Sequence, residues 1–466
     1  MPYFSTVTLR LKKSSQISIA NNPLLAGIEL GCNVFIVHQD SIINFMDRFI
    51  ECHDEATYRN SDKTVIMLMD GMQSNEKNLL VELCEHSNLV EIMNLLILKP
   101  TANMESIDLL THRFVGTVEE SVELILLDVF DVENKTFRYE QVLFLDKISN
   151  MLGKSVRLAT VNFPPLVILR KSESGNPLVR AGNQIYEMSG NDGLLVVEFC
   201  RRYNCTVELI IDDANMWGTI EKNKTGNGIL GNLAKRRADV GIGGMNQWYK
   251  QLEFLSFSKP TQRDSVTCLV PRPRNASLST VPLFGPSIDT IYDLAKSGFT
   301  LLQTHEAWPI IKKLVSKFQA QPPAVLRKLA DKGNVALIIG RMNNGHLMIG
   351  DWVTRENVHN YQLMKDDLYY DYEVPMATKT WPLMEKFNML IMRTTEALIG
   401  HYQELNAIYE SSDYHVQTTA INSRLRESNA TDALNLSGMF GVFAILGLGL
   451  FAATVIFIME ITTIQS

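Results

Sequence analysis

The chain has 466 residues, 46% of them hydrophobic and 20% charged, which is the composition of a globular protein with room for two or three domains. Its formal net charge is -7. Because recognition of a nucleic-acid backbone needs clustered Lys and Arg, this charge balance argues against a nucleic-acid partner.

The first residues, MPYFSTVTLRLKK, lack the basic start and the sustained apolar core of a secretory signal peptide. A truncated N-terminus would account for this, and so would late insertion through a C-terminal helix. The sequence leaves both alternatives open.

Short apolar runs alternate with amphipathic segments between residue 30 and about residue 150. The runs at 33–37, 64–69 and 95–98 are typical of strands, and helices are predicted around 42–50 and 77–84. This alternation indicates βαβ units with a parallel sheet. Residues 1–150 are therefore predicted to form an N-terminal α/β domain.

Two further α/β regions are predicted over residues 151–274 and 287–410. A short stretch at 275–286, rich in Pro, Ser and small residues, reads as a linker. A helix is predicted over 383–405, because apolar and charged residues fall on different faces there. Residues 411–437 are polar and form a second linker.

The last part of the chain contains 22 residues without a charge, from Gly438 to Met459. That length suffices to cross about 30 Å of hydrocarbon as a helix. We predict a transmembrane helix over 438–460; the alternative is a buried core helix.

Six Asn-X-Ser/Thr sequons all lie on the N-terminal side of this helix. Their placement predicts a glycoprotein of the plasma membrane with an extracellular ectodomain. The tail after Glu460 has no Lys or Arg, so the positive-inside rule gives this orientation no support. The sequons begin at Asn134, Asn204, Asn223, Asn275, Asn429 and Asn435.

The six cysteines show no CxxC pair and no zinc spacing with histidine. They are predicted to be free or disulfide-bonded, and the sequence does not choose a pairing. They are Cys32, Cys52, Cys84, Cys200, Cys205 and Cys268.

Enzyme motifs find little support. Residues 226–231 spell GxGxxG, but they follow a polar run instead of a strand, so a turn that opens a helix is the better interpretation. His305 and Glu306 lack the second histidine of a metalloprotease, and Asp212 and Asp213 are typical of a solvated loop. We predict no enzyme activity, no cofactor and no metal site.

A different run carries a family resemblance. Residues 226–260, ending in FSKP (Phe257–Pro260), resemble the first ligand-binding half of ionotropic glutamate receptors, and most of all the insect ionotropic chemosensory receptors. Residues 156–169 and 192–210 are similar to the strand and helix before it. Residues 287–299, 332–340 and 377–400 resemble the second half, and 436–461 the final membrane helix.

The resemblance implies an α/β fold: a bilobed, periplasmic-binding-protein-like clamshell, with an N-terminal α/β domain and a C-terminal transmembrane helix. It also implies a ligand that bridges two lobes, 151–274 and 287–410, and shifts the population toward a closed state. In complete family members a pore region separates the two halves. In this chain only residues 275–286 lie between the two halves, so the chain is not expected to line a pore.

The resemblance also maps ligand positions onto this chain. The family's carboxylate-binding arginine falls at Gln251, its threonine at Asn246, its proline at Gly244, its amine-binding acid at Gly340 and its aromatic lid at Trp217. Neither charge needed for a zwitterionic amino acid is present, so glutamate is not the expected ligand. The alternatives are that Trp217 is core and Gln251 solvated, or that a shift of one residue brings in Lys250.

Two functions follow. The first is a chemosensory subunit of the ligand-gated cation channel family, which senses a non-glutamate cue, chemical or physical. The second is a pore-less, membrane-tethered modulatory or decoy subunit. Both functions imply other ionotropic receptor subunits as co-receptors in a hetero-oligomer. The two functions are distinguished by whether a ligand stabilises the folded chain, which only the first requires.

Overall fold

A computed structural model describes residues 23–58, 63–71, 76–172, 178–272, 287–304, 317–424 and 440–464. Within these ranges, the helices are α1 Pro23–Glu29, α2 Ile42–Glu55, α3 Glu76–Glu85, α4 Val118–Ser121, α5 Asn191–Tyr203, α6 Gly228–Ala234, α7 Ile291–Ser297, α8 Pro323–Lys332, α9 Met384–Glu396, α10 Ile399–Ser411, α11 Tyr414–Ile421 and α12 Phe440–Ile464.

The strands in the same ranges are β1 Val34–His38, β2 Thr64–Leu68, β3 Asn94–Pro100, β4 Ser106–His112, β5 Leu124–Asp131, β6 Thr136–Phe137, β7 Ser155–Thr160, β8 Ile168–Ser172, β9 Val179–Ala181, β10 Gln184–Ser189, β11 Thr206–Ile211, β12 Thr219–Ile220, β13 Gly226–Asn227, β14 Val240–Gly241, β15 Leu255–Phe257, β16 Gln262–Pro271, β17 Leu301–Gln303, β18 Phe318–Ala320, β19 Ala336–Arg341, β20 Leu347–Met348, β21 Tyr361–Leu363, β22 Tyr369–Glu373 and β23 Met376–Thr378.

The chain forms two compact units that interleave along the sequence. Unit 1 comprises Met1–Gln262 and Tyr372–Ser411, and unit 2 comprises Arg263–Asp371 and Ser412–Ser466. The chain therefore passes from one unit to the other three times. The predicted range 287–410 is split between the units, because Trp381 and Phe387 pack with Phe199 of α5 in the core of unit 1.

The first sheet of unit 1 has the order β1-β2-β3-β4-β5-β6. Strands β1 to β3 are parallel, as the alternating pattern predicts, and α2 buries Phe45, Met46 and Phe49 in the adjoining core. The predicted parallel sheet extends over β1 to β3 only, because β4, β5 and β6 pair antiparallel. Their short connections suit antiparallel neighbours, whereas a parallel pair needs a crossover of a dozen or more residues.

The second sheet of unit 1 and the main sheet of unit 2 share one strand order. In unit 1 the strand order is β11-β7-β14-β23-β15. The first three of these strands are parallel to one another, and β23 is antiparallel to both of its neighbours. In unit 2, β18-β17-β19-β16-β21 repeats this pattern, with β16 as the antiparallel strand. If the unit's own four strands are numbered in chain order, both sheets have the order second, first, third, inserted strand, fourth. The inserted strand is β23 in unit 1 and β16 in unit 2. Together with the α/β content, this repeat confirms the periplasmic-binding-protein-like fold class.

The predicted helix over 383–405 is wrong in extent. The structure has two helices, α9 and α10, and the break falls at Leu398, whose φ is +55°. A non-glycine residue in this conformation ends an α-helix. The apolar pattern continues across the break, so periodicity alone did not reveal it.

One disulfide, Cys200–Cys205, joins the end of α5 to the start of β11, and the other four cysteines form no disulfide within the part of the chain that the structure describes. Because the bond closes a short loop, replacing both cysteines with serine is expected to lower the free energy of unfolding by about 2 kcal/mol. Chemical denaturation under non-reducing conditions measures this. The matched control is Cys84→Ser, at a half-buried free cysteine, and equal losses in the two variants would contradict the prediction.

Helix α12 contains the segment Phe443–Glu460, which has a mean hydropathy of 2.2 and no buried residue. By length and composition it is able to cross a membrane. Among the described residues no other helix meets this criterion. The predicted C-terminal apolar helix is confirmed.

Candidate ligand-binding site

The candidate site lies in unit 1, where β7 and β14 end and α5 begins. The connections that leave these strands carry Phe163 and the pair Gly243–Gly244, and α5 begins at Asn191. The carboxyl ends of parallel strands are where α/β sheets bind ligands, because the loops converge there. Sequence reasoning placed Trp217, Gly244 and Asn246 in this neighbourhood through the resemblance.

Asp192 lies at the centre of the site and is only 2% exposed. Its Oδ2 accepts hydrogen bonds from the backbone N–H groups of Gly243 and Gly244, at 3.2 and 3.3 Å. The positive φ angles of these glycines, 118° and 71°, allow two consecutive amides to face one carboxylate. Burial raises the pKa of Asp192 to about 6, against the lowering effect of the two amides.

The second carboxylate of the site belongs to Glu373, which is buried. Its Oε2 accepts from Nε2 of Gln262 at 2.6 Å, and Oε1 of that amide accepts from Nδ2 of Asn191 at 3.0 Å. Asn246 pairs with Glu373 through an antiparallel backbone bridge. These side chains form a continuous polar network next to Asp192.

Trp217 forms an apolar wall instead of an exposed lid. Its side chain is buried, its Nε1 donates to the carbonyl oxygen of Gly243 at 2.8 Å, and its ring meets Phe163 edge-on at 5.0 Å. A Cβ on Gly244 would lie 3.1 Å from Cε1 of Phe163 and 3.2 Å from Oε1 of Glu373. The backbone of Gly244 therefore passes between an aromatic edge and a carboxylate.

The remaining predicted positions lie elsewhere. Gln251 is half-buried in a short 3₁₀ helix, Tyr249–Glu253, and Lys250 beside it is exposed. Gly340 belongs to β19 in unit 2, opposite Val266 and Met348. The assignment of ligand contacts to these residues stays a prediction.

Sequence reasoning missed Asp192, Glu373 and Gln262. Asp192 carried a signal, since it lies at the predicted start of a helix, two residues after a glycine. Glu373 lies 111 residues from Gln262 along the chain, so nothing local links them.

The GxGxxG run has a structural role, as interpreted from the sequence. Gly226 and Asn227 form β13, and α6 begins at Gly228. A Cβ on Gly228 would lie 2.5 Å from the backbone of Met216 and Gly218, so this glycine permits a close chain crossing. Asp212 fixes the same crossing, because its carboxylate accepts from the N–H of Gly228.

One group of potential metal ligands occurs among the described residues: His38, Asp40 and Asp70 at the carboxyl end of the first sheet. The imidazole lies between the carboxylates, 3.1 Å from Asp70 and 3.6 Å from Asp40. Polar contacts of the His38 ring with the two carboxylates account for this arrangement.

Three predicted glycosylation sites fall within the described residues. Asn134, Asn204 and Asn223 are all exposed. The sequons at Asn275, Asn429 and Asn435, and the His305–Glu306 pair, lie outside the described residues.

No family model and no curated protein matches the chain. Among solved structures it is similar to an ionotropic glutamate receptor ligand-binding domain of Mnemiopsis leidyi in complex with D-serine, at 13% identity and a TM-score of 0.41, over 54% of this chain and 96% of that chain. A variant of that domain with glycine matches at 12% identity and a TM-score of 0.41, over 55% and 98%. The Drosophila muscle receptor GluRIIB in complex with glutamate matches at 12% and 0.40, over 54% and 97%.

Proposed function

We propose that the chain is a ligand-binding subunit of the ionotropic receptor type, held in the plasma membrane by α12 and sensing a cue other than glutamate. The observation that carries the proposal is the strand order shared by the two units, each completed by a strand that crosses from the other part of the chain. Two such units joined by three crossings suit a protein that closes on a ligand. Closure then acts through partner subunits.

The chemistry around Gly244 supports a ligand without negative charge. Asp192 and Glu373 are both buried there, and Oδ1 of Asp192 has no hydrogen-bond partner among the described residues. A ligand carboxylate would be repelled by these acids and would meet an amide at Gln251 where a guanidinium is needed. We propose a neutral or weakly polar ligand that contacts Asn246 and Gln251.

A second candidate function is a pore-less modulatory or decoy subunit that occupies co-receptors without sensing a ligand. Burial of Trp217 and its hydrogen bond to Gly243 favour it, because a lid residue engaged in this way is not available to cover a ligand. In both candidates the part before α12 is extracellular and glycosylated.

Thermal unfolding of the full-length chain in detergent tests the proposal. A ligand at about 100 times its Kd adds about 2.7 kcal/mol, which raises Tm by several degrees. We expect uncharged small organic molecules to produce such a shift and glutamate to produce none. Gln251→Ala should abolish it without changing the ligand-free Tm, and Gln247→Ala is the matched control. If no compound shifts Tm while the chain copurifies with a co-receptor, the second candidate stands.

A further inference from the structure

The sequon Asn204-Cys205-Thr206 differs from the other two sequons within the described residues, because all three of its residues are bonded into the fold. Asn204 ends α5 with a left-handed backbone, at a φ of +54°. Cys205 is buried and forms the disulfide with Cys200, and Thr206 begins β11. An N-glycan acceptor ordinarily belongs to an accessible surface loop, so the position of this sequon is unusual.

Both side chains that define the sequon contact the turn at 150–153, which precedes β7. Nδ2 of Asn204 donates to Oδ1 of Asn150 at 2.7 Å, and Oγ1 of Thr206 donates to the carbonyl oxygen of Gly153 at 3.2 Å. The main chain is held in the same way, since the N–H of Gly153 donates to the carbonyl oxygen of Asn204 at 2.8 Å. Each group that a glycosyl transferase must reach therefore already has a partner in the fold.

The sequons at Asn223 and Asn134 have the opposite character. Oγ1 of Thr225 donates to Oδ1 of Asn223 at 2.6 Å, so the hydroxyl and the carboxamide of that sequon contact each other, and both residues are exposed. At Asn134 all three residues of the sequon are exposed. These two sequons therefore serve as internal references for Asn204.

The disulfide prevents the segment around Asn204 from becoming extended. In an extended chain alternate residues point to the same side, which would present Asn204 and Thr206 together to one active site. Five residues of extended chain span about 17 Å. The disulfide instead holds the Cα atoms of Cys200 and Cys205 4.4 Å apart. A closed disulfide and an extended acceptor thus exclude each other.

We propose that Asn204 is a redox-gated glycosylation site, which takes an N-glycan only while Cys200 and Cys205 are thiols. In the transfer, Nδ2 of Asn204 loses a proton and bonds to the anomeric carbon of a lipid-linked oligosaccharide, whose lipid pyrophosphate leaves. In the competing step, the two thiols pass two electrons and two protons to a disulfide oxidant of the secretory compartment, and the S–S bond forms. The inference rests on the proposed extracellular placement of the part before α12.

The two steps compete in time as the chain is made. Synthesis adds about 5–20 residues per second, so Cys200, Asn204 and Cys205 emerge within about a second of one another. Disulfide formation takes seconds or longer, and the short loop between these cysteines is closed at a small cost in chain entropy. Oxidising conditions therefore leave Asn204 without a glycan, whereas a glycan at this residue records synthesis under reducing conditions.

Glycan occupancy of the full-length chain, expressed in cells that N-glycosylate membrane proteins, tests this inference. Enzymatic deglycosylation converts each glycosylated asparagine to aspartate, and peptide mass spectrometry then measures occupancy at Asn134, Asn204 and Asn223. Cys200→Ser removes the disulfide but leaves the sequon unchanged. We expect this variant to raise occupancy at Asn204 at least about fivefold, because the segment stays able to extend. The other two sites should not change, and Cys84→Ser, outside the disulfide, is the matched control.

A pulse of dithiothreitol during synthesis of the wild-type chain makes the same comparison without a mutation, so a folding defect of Cys200→Ser does not decide the result. The pulse should raise occupancy at Asn204 by a similar factor. Occupied Asn134 and Asn223 together with an Asn204 that responds to neither treatment would overturn the redox gate alone. Absence of a glycan at all three residues in every sample would overturn the extracellular placement and the redox gate together.

Discussion

Replacing Gly218 with alanine is expected to lower the free energy of unfolding by about 4 kcal/mol. A Cβ at this position would lie 1.8 Å from the carbonyl oxygen of Asn227, and φ is +70°. The left-handed conformation costs a non-glycine residue about 1 kcal/mol, and displacement of the backbone at the crossing adds about 3 kcal/mol. Urea denaturation of the purified variant measures the sum.

Gly153 offers a control that isolates the steric contribution. Its φ is +82°, close to that of Gly218, but no atom lies within 4 Å of the position that a Cβ would take. Gly153→Ala should therefore cost only about 1 kcal/mol. If the two variants lose the same stability, the close crossing beside Trp217 is not what requires glycine.

Asp192→Asn is expected to change how stability depends on pH. The folded-state pKa of Asp192 is raised from 3.8 to about 6, so the folded protein binds the proton more tightly than the unfolded chain does. Stability from this group is fully present below pH 4 and is lost as pH rises through 6. The shift of about two units corresponds to about 3 kcal/mol. The asparagine variant lacks this dependence.

Denaturation midpoints of both proteins at pH 4, 5, 6 and 7 test this expectation. The free energy of unfolding of the wild type, relative to that of Asp192→Asn, should fall by about 2 kcal/mol from pH 4 to pH 7, because part of the total is already lost at pH 4. Asp213→Asn, at an exposed carboxylate near the same site, is the control and should stay parallel to the wild type. Parallel curves for Asp192→Asn would show that burial does not shift this carboxyl group.

The sequence was sufficient for those parts of the fold that depend on local pattern. Alternating apolar runs predicted β1, β2 and β3, and an uncharged run predicted α12. The antiparallel pairing of β4, β5 and β6 was not predicted, because strand direction depends on the connections between strands, which hydrophobic periodicity does not encode. The break at Leu398 was missed for a similar reason, since one residue with positive φ leaves the pattern of its neighbours intact.

The sequence pointed to the candidate site only through the family resemblance, and the ligand contacts assigned in that way stay predictions. Gly244 and Asn246 were mapped by counting back from the FSKP element, and Trp217 was mapped from the MWG run as the aromatic lid of the family. Glu373 became part of the site because the chain re-enters unit 1 at Tyr372, after more than a hundred residues in unit 2, and no local signal marks that return. Burial of Asp192, which sets its pKa, likewise depends on residues from distant segments.

The shared strand order has a consequence for cutting the chain in two. Strand β23, from the second half, lies between β14 and β15, whereas β16, from the first half, lies between β19 and β21. A break anywhere in residues 273–286 therefore leaves two polypeptides, each missing an internal strand that the other carries. Expressed separately, neither fragment can complete its sheet. Expressed together, 1–272 and 287–466 should reassemble, and a segment inserted at that break would leave both sheets whole.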